Sequence, residues 1–277
     1  KPNYPEVYNN LGVTLKTKGA LNTAINTFKR AIQIKPDYPA AYNNLGIALK
    51  EKGHLDDAIA SYQQALILKP NYPEAHSNLG NALQKKGDLN AAIDSCKQAL
   101  KLKPNFPEAH NNLGNALQEK GELNAAIASY QVALQLNPDY AEAHYNLGKV
   151  LKKQGNLNVA ISSYQQAIKL KPNFPYAHSN LGNAFQEQGE LNNAITSYQQ
   201  AIKLNPEFSD AHLNLGFTQL LSGNYKAGWK HYEWRWKTKD SIKPLTREKQ
   251  WAGEILNAGE KLLIVSEQGL GDSIQFM

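Results

Sequence analysis

The chain has 277 residues, 42% of them hydrophobic and 19% charged, with a net charge of +6 and one cysteine. Its longest purely aliphatic run, Leu262–Val265, falls far short of the roughly 20 apolar residues that a membrane span needs. No export leader is read in Lys1–Pro5, and a lone cysteine rules out an internal disulfide framework, as in a reducing, cytoplasmic setting. The basic excess is dispersed: residues 225–277 hold nine Lys/Arg against seven Asp/Glu, and the rest of the chain holds 21 against 17. No long run of like charge marks a nucleic-acid track.

A constant interval governs the chain. Gly recurs at 12, 46, 80, 114, 148, 182 and 216, always 34 apart. A second glycine series runs from Gly19 to Gly223, and a proline series from Pro2 to Pro206, at the same spacing. Residues 1–4 are expected to be the tail of a preceding unit. Seven units follow, at 5–38, 39–72, 73–106, 107–140, 141–174, 175–208 and 209–242. Within one unit, Tyr42, Leu45, Gly46 and Leu49 fall on one helical stripe. Pro39 suits the first helical turn, and Gly53 suits a left-handed cap. Leu55, Ala58, Ile59, Tyr62, Ala65 and Leu66 form a second stripe, stopped by Pro70. Gly46 and Ala58 are small where the two helices must approach closely.

These positions resemble the tetratricopeptide (TPR) family, whose period and pattern they match over residues 5–242. The resemblance implies an all-α, right-handed TPR superhelix that binds protein ligands. One helix pair cannot bury its own stripe, so stacked neighbours would share a continuous core. The seventh unit departs from the pattern: Gly228 stands for Ala, Trp229 for Ile and Arg235 for the second Ala. All four tryptophans lie beyond residue 225. Such a unit reads as a terminal cap or as a docking surface for a following domain, and exposed aromatics favour docking.

Beyond 243 a linker leads to Lys261-Leu-Leu-Ile-Val-Ser266, read as a strand. A turn with Gly269, Gly271 and Asp272 follows, then a helix start: the opening of an α/β domain with a glycine loop suited to anions. The string Glu267–Phe276, preceded by Tyr232–Trp236, resembles bacterial TPR proteins carrying a glycosyltransferase-like domain related to the heptosyltransferases. That resemblance implies a nucleotide-sugar donor, Asp272 as general base, and cofactor-side contacts at Gly269 and Gly271. Asp272 with Gln275 also reads as a helix capping box. The donor-binding lobe is not in the sequence, so the piece is expected to be inactive and to need no cofactor.

His76, His110, His144, His178 and His212 lie one repeat apart. Packed helices sit roughly 8–10 Å from each other, too far for shared metal ligands at about 2 Å, so these histidines are read as packing residues and no metal is assigned. Cys96 stands where other units have Phe28, Tyr62, Tyr130 or Tyr164, and is read as core.

Asparagine is the candidate for function. Asn10, Asn44, Asn78, Asn112, Asn146, Asn180 and Asn214 occupy one position in every unit, and Asn81, Asn115 and Asn183 lie three residues further along the same helix. An amide offers donors and an acceptor to an extended backbone of any sequence. This ladder resembles that of the O-linked N-acetylglucosamine transferases, which implies peptide contacts in the concave groove. The same residues could instead tie neighbouring helices together. TPR domains that grip acidic chaperone tails use cations in the groove. Here the second position of the unit is acidic (Glu6, Glu74, Glu108, Glu142, Asp210), which disfavours that mode. Three functions follow: a scaffold binding an extended polypeptide, a catalytic piece of a nucleotide-sugar transferase, and a scaffold that self-associates through its repeat ends. No nucleic-acid or membrane partner is expected.

Overall fold

A computed structural model describes residues 4–237. The strand, loop and helix expected within 261–277 lie outside the described residues, with Gly269, Gly271 and Asp272 among them. One helical hairpin falls in each 34-residue period. The first four are α1 (Pro5–Thr17) with α2 (Leu21–Ile34), α3 (Pro39–Glu51) with α4 (Leu55–Leu68), α5 (Pro73–Lys86) with α6 (Leu89–Leu102), and α7 (Pro107–Lys120) with α8 (Leu123–Leu136). The remaining three are α9 (Ala141–Lys153) with α10 (Leu157–Leu170), α11 (Pro175–Glu187) with α12 (Leu191–Leu204), and α13 (Ser209–Leu221) with α14 (Tyr225–Tyr232). A 3-10 turn, Glu233–Lys237, follows α14.

Local chemistry sets these boundaries. Proline opens α1, α3, α5, α7 and α11, where the first helical N–H has no intrahelical partner to lose. Gly87 caps α5 at φ +90°, and its N–H and that of Asp88 close onto carbonyls of the last turn.

Inside five of the seven hairpins, a glycine of the first helix meets an aromatic ring of the second. A Cβ on Gly46 would stand 2.6 Å from Cε1 of Tyr62, and one on Gly114 equally close to Tyr130. Those rings are fully buried, as are Tyr164 and Tyr198. From α2 with α3 to α10 with α11, the second helix of one unit packs on the first helix of the next. Buried residues from Ala24 to Ala184 thereby join one apolar cluster. Successive first helices also touch (α1 with α3, α3 with α5, onward to α11), whereas among the described residues successive second helices do not. The first helices are therefore the inner, concave wall of this superhelix.

The chain divides into two compact bodies, one ending at Pro206 and one starting at Glu207. The second contains the seventh hairpin. There Gly228, in place of alanine, admits Leu220, whose Cδ2 would lie 2.7 Å from an added Cβ. Trp234 stacks on His212, with centroids 3.7 Å apart and planes 4° from parallel. Phe217 meets Tyr232 edge-on, while Tyr225 and Trp229 remain exposed.

Candidate peptide-binding site

The asparagine ladder runs along the inner wall of the first body, from α1 to α11, and Asn214 occupies the same position on α13 of the second. Most of its side-chain amides are oriented by the unit before. Nδ2 of Asn44 donates to Oδ1 of Asn9 at 2.9 Å, that of Asn78 to Asn43 at 3.0 Å, and that of Asn146 to Asn111 at 3.1 Å. Asn112 donates to Oγ of Ser77 at 3.0 Å, and Asn180 to the hydroxyl of Tyr145 at 2.9 Å. Each bond reaches back 35 residues, so the helix-tying role is present in the structure. It is also half of each amide's capacity: Oδ1 of Asn44, Asn78 and Asn146 accepts from no side chain among the described residues. Asn10 is exposed on α1.

The second set is held from beneath. The hydroxyl of Tyr130 points to Oδ1 of Asn115 at 2.8 Å and Oε1 of Gln118 at 3.2 Å. Tyr198 does the same with Asn183 at 2.7 Å and Gln186 at 2.8 Å. Their carbonyls turn inward and their NH2 groups face away from the ring. Asn81 has only Cys96 behind it. Its Oδ1 instead accepts from Nζ of Lys50 at 2.9 Å, and its Nδ2 lies 3.4 Å from Oδ1 of Asn112.

Two units carry the tyrosine without its acceptors. Where Asn and Gln stand in the fourth and sixth units, the second has Ile47 and Lys50 and the fifth has Lys149 and Lys152. The hydroxyls of Tyr62 and Tyr164 are correspondingly buried with no partner.

At the C-terminal end of the first helices, charge alternates from junction to junction. Lys16 pairs with Glu51 at 3.3 Å and Lys152 with Glu187 at 2.5 Å, while Gln84 donates to Glu119. The intervening junctions bring Lys50 toward Lys85, and place Gln118 and Lys153 at the equivalent positions. Burial, then the Lys85 charge, lowers the pKa of Lys50 below its usual range. Burial also lowers that of Lys149, whose Nζ lies 5.7 Å from the Tyr145 centroid. At the opposite end three of the four second-position glutamates are engaged within their own units. Lys35 reaches Glu6 at 3.8 Å, Lys103 reaches Glu74 at 3.3 Å and Lys171 reaches Glu142 at 2.7 Å. The Lys171 hydrogen bond holds Glu142 below the ordinary carboxylate range.

The histidines are structural. Nε2 of His76, His110, His144 and His178 bonds the carbonyl of Pro70, Pro104, Pro138 and Pro172 at 2.9, 3.0, 2.9 and 3.2 Å. His212 instead meets His231, Nδ1 to Nδ1 at 2.9 Å. Cys96 is fully buried, and its thiol pKa is pushed up to about 12 by burial. Helix tying was one of the two readings of the asparagines, but the partner of each tie and the tyrosine contacts were not anticipated from sequence. A signal existed for the second: Asn and Gln accompany Tyr in the fourth and sixth units, and Phe28 in the first stands without them.

The profile described as TPR repeat matches residues 14–53, 48–87, 85–121, 114–155, 150–189 and 182–223. No curated protein sequence matches the chain. Among solved structures, the Cut9–Hcn1 hetero-tetramer of the APC/C is similar at TM-score 0.75 and 20% identity, covering 78% of this chain and 43% of that one. A MamA structure is similar at TM-score 0.52 and 33% identity, covering 59% of this chain and 95% of its own. YrrB, described as a TPR protein with an unusual peptide-binding site, reaches TM-score 0.50 at 25% identity, covering 66% and 95%. The chain thus spans less than half the length of the first of these relatives. With the repeat profile covering most of its length and helical hairpins at every period, the chain belongs to the tetratricopeptide repeat family.

Proposed function

We propose that the inner wall binds an extended polypeptide whose backbone pairs with the asparagine ladder. The supporting observation is the backward tie. Each amide is oriented by the unit before it, so the Oδ1 atoms of Asn44, Asn78 and Asn146 stand ready to accept peptide N–H groups without a further ordering cost. The NH2 group of Asn115, turned away from the tyrosine, would serve a peptide carbonyl. Backbone pairing of this kind binds chains by conformation, with side chains left to add preference. The relative named for a peptide-binding site, YrrB, is consistent with this reading.

The test is titration of a labelled library of extended peptides into the wild-type chain and an Asn78→Ala, Asn112→Ala, Asn146→Ala variant. A loss of at least about tenfold in affinity, some 1.4 kcal/mol, with the helical circular-dichroism signal retained, is expected. Unchanged affinity would remove the ladder from the site.

A second reading rests on the Glu267–Phe276 string and makes the chain a catalytic piece of a nucleotide-sugar transferase whose glycine loop already binds nucleotide, with Asp272 as base. Calorimetry with a panel of nucleotide-sugars tests it, and absence of heat at all of them rejects it.

A further inference from the structure

We propose that the junction between the second and third units is an anion subsite of the groove, taking a glutamate or aspartate side chain of the bound polypeptide, so that the preferred ligand is an acidic extended segment. The proposal rests on the peptide reading above and adds to it the charge of the ligand.

Three observations converge on this junction. The first is its charge. Lys16, Lys50 and Lys85 act on one another here, and Glu51, the carboxylate among them, is already bound by Lys16 at 3.3 Å. At the junctions on either side the corresponding pairs, Lys16 with Glu51 and Gln84 with Glu119, are closed internally. Here the position that holds Glu51 and Glu119 at those junctions holds Lys85, whose charge acts on Lys50.

The second is the state of Lys50. It is half-buried, its side-chain hydrogen-bond partner is the neutral carbonyl of Asn81 at 2.9 Å, and among the described residues no carboxylate lies within ion-pair distance. A partly desolvated ammonium gains most from a charged acceptor, because water screens it less than it does a surface lysine.

The third is the Tyr62 hydroxyl. It belongs to a fully buried residue and has no partner. Gln118 and Gln186, which stand where Lys50 does, are the residues that accept from Tyr130 and Tyr198. Lys50, a donor, thus stands where the fourth and sixth units have an acceptor, and the only acceptor it meets among the described residues is the uncharged Asn81 carbonyl. A carboxylate, with two oxygens and about four lone-pair sites, is the group that answers such an arrangement. The acidic second-position residues do not oppose it. They lie at the other end of the first helices, and Glu74 there is held by Lys103.

The experiment compares two labelled peptides by fluorescence anisotropy, one alternating Glu with Ser and the other with Gln in place of Glu. Each is titrated at low salt into the wild-type chain, a Lys50→Gln, Lys85→Gln variant, and a Lys97→Gln, Lys101→Gln control on α6 with the same change in net charge. The Glu peptide should bind about tenfold tighter than the Gln peptide. The advantage should shrink as salt is added and disappear in the Lys50/Lys85 variant alone. Equal binding of both peptides overturns the anion subsite while leaving the peptide groove standing. An equal loss in the Lys97/Lys101 control also overturns it, assigning the preference to net charge. No binding of either peptide overturns the groove reading, and the subsite with it.

Discussion

The third and fourth units differ little in sequence, yet their groove faces are organised from different sides. Both carry Asn and Gln at matching places on the first helix, Asn81 with Gln84 and Asn115 with Gln118. In the fourth, Tyr130 rises from the seam and fixes both amides from beneath. In the third, Cys96 leaves them to other partners: Asn81 turns to Lys50 and Asn112, and Gln84 to Glu119. One buried residue thus decides whether the groove is held vertically, within a unit, or laterally, between units. Hidden packing and the arrangement of the exposed amides are not separable in this array.

Truncation gives the widest contrast. Tyr130→Ala removes a fully buried ring and should cost about 3–5 kcal/mol, whereas Cys96→Ala should cost about 1 kcal/mol. Denaturant midpoints measure both, and equal losses would contradict the two roles.

A subtler pair isolates the hydroxyl. Tyr130→Phe strips Asn115 and Gln118 of their donor and should cost about 1 kcal/mol. Tyr62→Phe removes a buried hydroxyl with no partner and should be neutral or stabilising. Phe28 already occupies this place in the first unit, beside Val13 and Lys16.

The smallest effect is alkaline. The Cys96 thiol titrates at 9.0 when free and at about 12 in the fold. The unfolded chain therefore loses that proton first. The stability the buried thiol carries is complete below pH 9 and declines as pH rises from 9 toward 12. At pH 9, with half the unfolded thiol ionised, the decline is about 0.4 kcal/mol. Melting temperatures of wild type and Cys96→Ala across this range should converge as pH rises; parallel curves would refute it.

Much of this was legible in the sequence because it is local or strictly periodic. Pro39 and Gly53 announce where a helix begins and ends, and the stripe through Tyr42, Leu45 and Leu49 says which side is buried. The Gly46 to Tyr62 approach follows from a missing Cβ at a fixed interval. The groove was only partly legible. Asn78 was a candidate both for peptide contact and for tying helices together. That its Nδ2 bonds Asn43 depends on how far one hairpin is displaced from the next, which periodicity does not encode. The same displacement brings Lys16 to Glu51 but Lys50 toward Lys85. Reading each unit against the consensus conceals this, because the partners stand 35 residues apart and not 34.

The alternation at the junctions bears on how such an array can change length. Excising the second unit alone, residues 39–72, would bring Lys16 opposite Lys85 and exchange an attraction for a repulsion. Excising the third alone, residues 73–106, would instead set Lys50 opposite Glu119 and exchange a repulsion for an attraction. Which hairpin is lost, and not only how many, therefore decides whether a shortened array keeps its charges matched across the new junction.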